Sequence, residues 1–189
     1  MSDKHIFISR YRRTGICILA VFLTFGLATL GRVPEIPNSD DGGYAAAAYQ
    51  FWKTGHPGIP GYRDLLGLNI DIFAFGRTAA AVQGVFMHFF GISLFTALLP
   101  SFLAGMGLIF FTYGLGRVLW GKECGLLGAI LLAGSGMFFS ASHWARPDLL
   151  IALCLAGALY MFASTPPHKW SWRYLAAGGH HRPFRRRTP

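Results

Sequence analysis

Asp40 and Asp41 stand side by side in a polar stretch, Asn38-Ser39-Asp40-Asp41-Gly42-Gly43-Tyr44, that follows the first apolar run of the chain. Much later, His143-Trp144-Ala145-Arg146-Pro147-Asp148 separates two further apolar runs. A carboxylate beside a low-dielectric wall can take a proton from a hydroxyl, and an arginine at headgroup level can hold a phosphate through paired donors. Asp40 and Asp41 are therefore candidate catalytic residues, and Tyr44, His143, Arg146 and Asp148 candidate substrate-binding residues. Each has a structural alternative. Asp40 can cap a helix and Asp41 can complement its dipole, together worth about 1 kcal/mol. Asp148 can open a helix after Pro147, Arg146 can anchor at headgroups, and His143 taken alone suits a structural role at the interface.

The elements that must carry these residues follow from composition. The chain is 53% hydrophobic and only 13% charged, which predicts an all-α integral membrane protein. Four apolar runs, near 14–30, 94–119, 125–141 and 149–163, are close to the ~17–25 residues that cross a bilayer as a helix. The net charge of +9 does not point to nucleic acid, because the basic residues are distributed by loop. Lys4, Arg10, Arg12 and Arg13 precede the first run, Arg117 and Lys122 lie between the second and third, and Lys169 and Arg173 follow the fourth. That alternation puts these segments, and the N-terminus, in the cytoplasm. Loop 32–93, which mixes Glu35, Asp40, Asp41, Asp64 and Asp71 with basic residues, is then exoplasmic. Asp148 opens the fourth run at that same membrane face. Leu27-Ala28-Thr29-Leu30 lacks a small-x-small cleavage site, so the first run reads as an uncleaved anchor. Cys17, Cys124 and Cys154 are widely spaced, form no metal or disulfide pattern, and default to packing.

Within the exoplasmic loop, Asn38, Ser39 and Asp40 are good N-cap residues, and a helix is expected from near Asp41 to Gly55. Tyr44, Ala47, Ala48 and Phe51 recur on one face, while Tyr49 and Trp52 suit the lipid interface. Asp71 to Phe90 is mostly apolar but carries Asp71, Arg77, Gln83 and His88. Counting it as a crossing would invert every later loop, so it reads as a second interfacial helix, with Phe86, Phe89 and Phe90 dipping into the acyl region.

The order of these features resembles a known family. Asp40-Asp41-x-x-Tyr44, an alanine-rich helix closing at Thr54-Gly55, Phe90-Gly91 before the second run, Leu115-Gly116-Arg117 before the cytoplasmic turn, and Asp148 opening the fourth run are its marks here. Residues 13 to 172 look like the N-terminal part of a GT-C type polytopic glycosyltransferase. The similarity is to the dolichyl-phosphate-mannose protein mannosyltransferase-like group, which includes the aminoarabinose transferases. The resemblance implies transfer of a sugar from a polyprenyl-phosphate carrier to an exoplasmic acceptor, with Asp40 taking the acceptor's proton. Asp41 would orient the acceptor or help place a divalent cation, although no cofactor follows from the residues. Arg146 at the same face is positioned to steady the leaving phosphate.

Such enzymes continue for several more spans. Here the start of a fifth, Trp170 to Gly179, turns into His180-His181-Arg182-Pro183-Phe184-Arg185-Arg186-Arg187-Thr188-Pro189. A run of that kind is what a GC-rich gene yields when read out of frame; the alternative is a basic cytoplasmic tail drawn to anionic headgroups. The expectation is therefore a truncated GT-C unit over 1–173, with an aberrant or basic tail over 174–189 and no turnover by residues 1–189 alone. From a different class, the alternative is a small noncatalytic polytopic protein, a subunit or transporter fragment, whose interfacial helix binds a partner or lipid.

Overall fold

The computed structural model describes residues 20–30, 39–56 and 77–165, with positions 13, 16, 17 and 59 besides. The expectations for residues 14, 15, 18 and 19 of the first run, for Pro34, Pro37 and Asp71, and for the 174–189 tail lie outside them. The described residues form seven α-helices and no strand: α1 (Ala20–Thr29), α2 (Ser39–Thr54), α3 (Arg77–Phe90), α4 (Leu94–Trp120), α5 (Lys122–Ala133), α6 (Gly136–Ser142) and α7 (Asp148–Ser164).

Helix α4 is the axis of the bundle. Its start is written into Ser93 and Thr96, which form a reciprocal capping box: Ser93 Oγ accepts from Thr96 N at 3.2 Å, and Ser93 N donates to Thr96 Oγ1 at 3.0 Å. Gly91, at φ +80°, takes the left-handed conformation that lets α3 stop at Phe90, immediately before it. Gly116 of α4 faces Gly125 of α5, Thr112 faces Gly128, and Gly105 faces Phe138 and Ser142 of α6, so α5 and α6 run back along α4. By contrast Gly105 meets Leu149, Gly107 meets Leu153 and Gly114 meets Tyr160, so α7 runs parallel to α4. The N-terminal ends of α4 and α7 consequently lie together at one end of the bundle.

Among the described residues, α4 alone is by itself long and apolar enough to cross a bilayer, with a mean hydropathy of 2.0 in its best window. The third run is not the single straight helix that its length suggests, because α5 and α6 meet at 68°. Gly134 gives the chain a poor helix former there, and the Ser135 hydroxyl accepts from Phe138 N at 3.4 Å, restarting the chain as a new helix. Together the two pieces are long and apolar enough for a broken span or a re-entrant loop. The fourth run is α7, of 17 residues, and the described part of the first is α1, of 10.

Packing is tightest where side chains are smallest. Phe102 is fully buried and stacks on Phe22 at a centroid distance of 6.0 Å, while Phe22 also meets Phe138 and Phe139, which seats α1 against α4 and α6. At the other end a Cβ on Gly125 would lie 2.7 Å from Arg117 N, closer than atoms can approach, so the α4–α5 crossing tolerates only glycine. Gly125→Ala should lose roughly 1–3 kcal/mol, the usual cost of overpacking. Gly136→Ala, with nothing within 4 Å of the new methyl, should leave stability unchanged. Thermal unfolding in detergent compares the two; equal behaviour contradicts the close crossing.

Candidate functional site

The link between α6 and α7, residues 143–147, lies at the end of the bundle where α4 and α7 begin. A link of this kind exposes backbone groups that no helix satisfies, and buried backbone groups left unpaired cost about 1–3 kcal/mol each. Three helices supply the partners. Ala145, only 2% exposed, donates its N–H to Asp41 Oδ1 of α2 at 3.1 Å, and its carbonyl accepts from Gln83 Nε2 of α3 at 3.1 Å. The same Gln83 amide donates to the Ala97 carbonyl of α4 at 3.1 Å, and Ser101 Oγ of α4 donates to the Arg146 carbonyl at 3.1 Å.

These bonds bring the acids of α2 to the polar end of the later helices. Asp40 and Asp41 occupy the first turn of α2, both half-buried. Helix α2 is held there by α3: Gly84 approaches the Ala48 carbonyl and Trp52, and Ala47 and Ala48 are buried between the two helices. The expected helix and its apolar face are thus present, with bounds Ser39–Thr54. Asp40 lies inside the helix rather than at its cap.

Arg146 Nε is 3.0 Å from Asp148 Oδ2. The N–H does not point at that oxygen, however, so the contact is an ion pair without a hydrogen bond, and the buried Nε has no hydrogen-bond partner among the described residues. The Arg146 guanidinium also lies over the Trp144 ring at 5.7 Å. Burial pushes the Asp41 carboxyl above its ordinary 3.8; the Ala145 N–H and the Arg146 charge pull it back, and Asp40 adds to the rise. Burial likewise raises the Tyr44 phenol, which feels Arg146, Asp148 and Asp40 together. Asp40, Asp41, Tyr44, Arg146 and Asp148 therefore share one electrostatic neighbourhood.

His143 is engaged differently. Its Nδ1 lies 2.8 Å from the Phe139 carbonyl, which can only accept, so Nδ1 carries a proton. Its Nε2 is 3.0 Å from Thr29 Oγ1 and 3.2 Å from the Gly26 carbonyl. Nε2 thus ties the end of α6 to α1, while Nδ1 is held within α6. Two residues of the arrangement, Gln83 and Ser101, were not among the sequence candidates. A signal for Gln83 existed: it is the polar member of the Ala79, Ala80, Gly84, Met87 face of α3, at helical spacing. Among the described residues no three His, Cys, Asp or Glu side chains converge as a metal-ligand set, so the adjacent acids of α2 are the groups that would hold a cation.

The described residues thus form an all-helical bundle with carboxylates and an arginine gathered at one end. Residues 78–179, just over half of the chain, match the dolichyl-phosphate-mannose-protein mannosyltransferase family, and the chain belongs to that family. The matched stretch contains Gln83, Ser101, His143, Arg146 and Asp148, and begins after Asp40, Asp41 and Tyr44. Neither the curated proteins nor the solved structures contain a match to the chain.

The raised Asp41 carboxyl has a consequence for stability. Ionising it costs more in the folded chain than in the unfolded one, so its contribution is present below 3.8 and is lost as pH rises through the raised value. Asp41→Asn keeps an oxygen for the Ala145 N–H and removes the titration. Melting curves in detergent should show the parent losing stability relative to Asp41→Asn as pH climbs through the window just above 3.8, then running parallel. A parent that gains on the variant over that window contradicts the burial of Asp41.

Proposed function

We propose that the chain provides the catalytic end of a multi-pass membrane glycosyltransferase. It moves a sugar from a polyprenyl-phosphate carrier to an exoplasmic hydroxyl or amine, with the N-terminus cytoplasmic. The observation that carries this reading is the hydrogen bond from Ala145 N to Asp41, which sets the acidic pair beside Arg146 and Asp148. The family supports the reaction class. A bilayer location is supported by the outward faces of α4–α7, where Phe110, Trp120, Leu131, Met137, Ile151 and Leu155 are all more than half exposed. At the polar end, Phe89, Phe90 and Ile92 are similarly exposed, as expected of an interfacial α3.

The roles follow from the partners each side chain has. Asp41 already accepts from Ala145 and is the anchored member of the pair, suited to orienting the acceptor. Asp40, in the same turn, accepts no hydrogen bond from a described residue and is left to take the acceptor's proton as its oxygen attacks the anomeric carbon. The bond from that carbon to the phosphate oxygen breaks on the opposite side, with inversion. The phosphate leaves with the bonding electrons and is met by the Arg146 guanidinium, whose charge Asp148 orients. A lipid-borne donor reaches such a site laterally. His143, with both nitrogens engaged, holds α1 in place.

The test is Asp40→Asn in an expressed gene that continues into the further spans the resemblance implies, assayed for sugar transfer in isolated membranes. Transfer should fall roughly 10²- to 10⁴-fold, the usual contribution of a general base, with membrane insertion unchanged. Full transfer by the variant removes Asp40 from the mechanism, and a parent gene without transfer removes the enzymatic reading.

A further inference from the structure

Gln83 is a conspicuous choice for its position. Its neighbours on the buried face of α3 are Ala79, Ala80, Gly84 and Met87, and a carboxamide that is 2% exposed among them needs partners for its polar atoms. Its amide donates to two carbonyls on different elements, Ala97 in the first turn of α4 and Ala145 in the α6–α7 link. The Ala145 carbonyl belongs to the peptide unit immediately before Arg146. The carbonyl of Arg146 itself accepts from the buried Ser101 hydroxyl. The peptide groups on both sides of Arg146 are therefore held by side chains from the bundle, one from α3 and one from α4. The guanidinium, by contrast, makes a part-exposed ion pair with Asp148 and a ring contact with Trp144 among the described residues.

We infer that Gln83 and Ser101 are positioning residues for Arg146, locking its backbone so that its guanidinium is presented in one orientation to a lipid-linked phosphate. The physical gain is preorganisation. An arginine on an unconstrained link would have to be ordered by each incoming phosphate, whereas a fixed backbone leaves only the side-chain torsions to settle. Gln83 also fixes the far side of Ala145, the residue whose N–H holds Asp41, so the one amide serves both halves of the site. This inference rests on the phosphate-binding reading of Arg146 given above.

The experiment uses the full chain in membranes and a photoreactive polyprenyl phosphate without a sugar, and it reads half-saturation and maximal labelling separately. Arg146→Ala should raise half-saturation about tenfold or more, the loss of one charge-assisted hydrogen bond. Gln83→Met and Ser101→Ala should each raise it roughly 2- to 10-fold, the range for one neutral hydrogen bond. In the Arg146→Ala background neither should have any further effect on half-saturation. A residue that only supports the fold lowers maximal labelling equally in both backgrounds and leaves half-saturation alone; that pattern overturns the inference for the residue concerned. Ser101→Ala removes a single hydroxyl and keeps the test decisive if Gln83→Met does not fold. Unchanged half-saturation in Arg146→Ala removes the phosphate reading itself, whereas a rise there with none in the other two variants removes only the positioning role.

Discussion

The arrangement depends on how the backbone of Ala145 is satisfied. A chain that leaves one helix and enters another inside a bundle must find partners for its peptide groups, and where water is excluded only other parts of the protein can provide them. Here the N–H goes to a carboxylate of α2 and the carbonyl to a carboxamide of α3. Two helices from the first loop are thus attached to the link between the last two helices. The acidic pair and the arginine meet because the link needs a donor on one side and an acceptor on the other.

The remaining packing makes that attachment possible. Glycines 105, 107 and 114 bring α6 and α7 against α4, and the Gly116–Gly125 contact closes α5 onto it, so that the α6–α7 link returns to the beginning of α4. The bend after Ala133 redirects α6 toward α1, where Phe22 and the His143 bonds hold it. Side chains that would have filled the interior face outward instead, which leaves the bundle with an apolar exterior and a polar end. In a bilayer such a shape separates tasks: the exterior meets lipid, and the polar end meets headgroups and their phosphates.

Much of this was legible in the sequence where one local rule dominates. The cap residues before Gly42 and the glycine at 55 mark α2, the apolar run beginning at 94 marks the start of α4, and Pro147-Asp148 marks that of α7, each within a residue or two of the observed bounds. Charge alternation, together with the positions of the apolar runs, put Asp40, Asp41, Arg146 and Asp148 at one end, which is where the helix directions bring them. What stayed hidden depends on contacts between distant segments. The α5–α6 bend falls in an apolar run whose hydropathy does not register it, and only the Ser135 cap reveals the break. Gln83 counted only as a polar residue against a crossing, because its carbonyl partners are 14 and 62 residues away. The bond from the His143 ring to α1 was hidden for the same reason, its partner Thr29 lying 114 residues earlier.

The central claim is that the acids of α2 rest on the α6–α7 link. It is tested most directly by cross-linking Asp41→Cys to Ala145→Cys with a short bis-methanethiosulfonate reagent, in membranes and in a chain whose Cys17, Cys124 and Cys154 are replaced by serine. The account predicts an intramolecular cross-link for this pair and none for Asp41→Cys with Gly121→Cys, at the opposite end of the bundle. Absence of the 41–145 product, or equal yields for the two pairs, would contradict it.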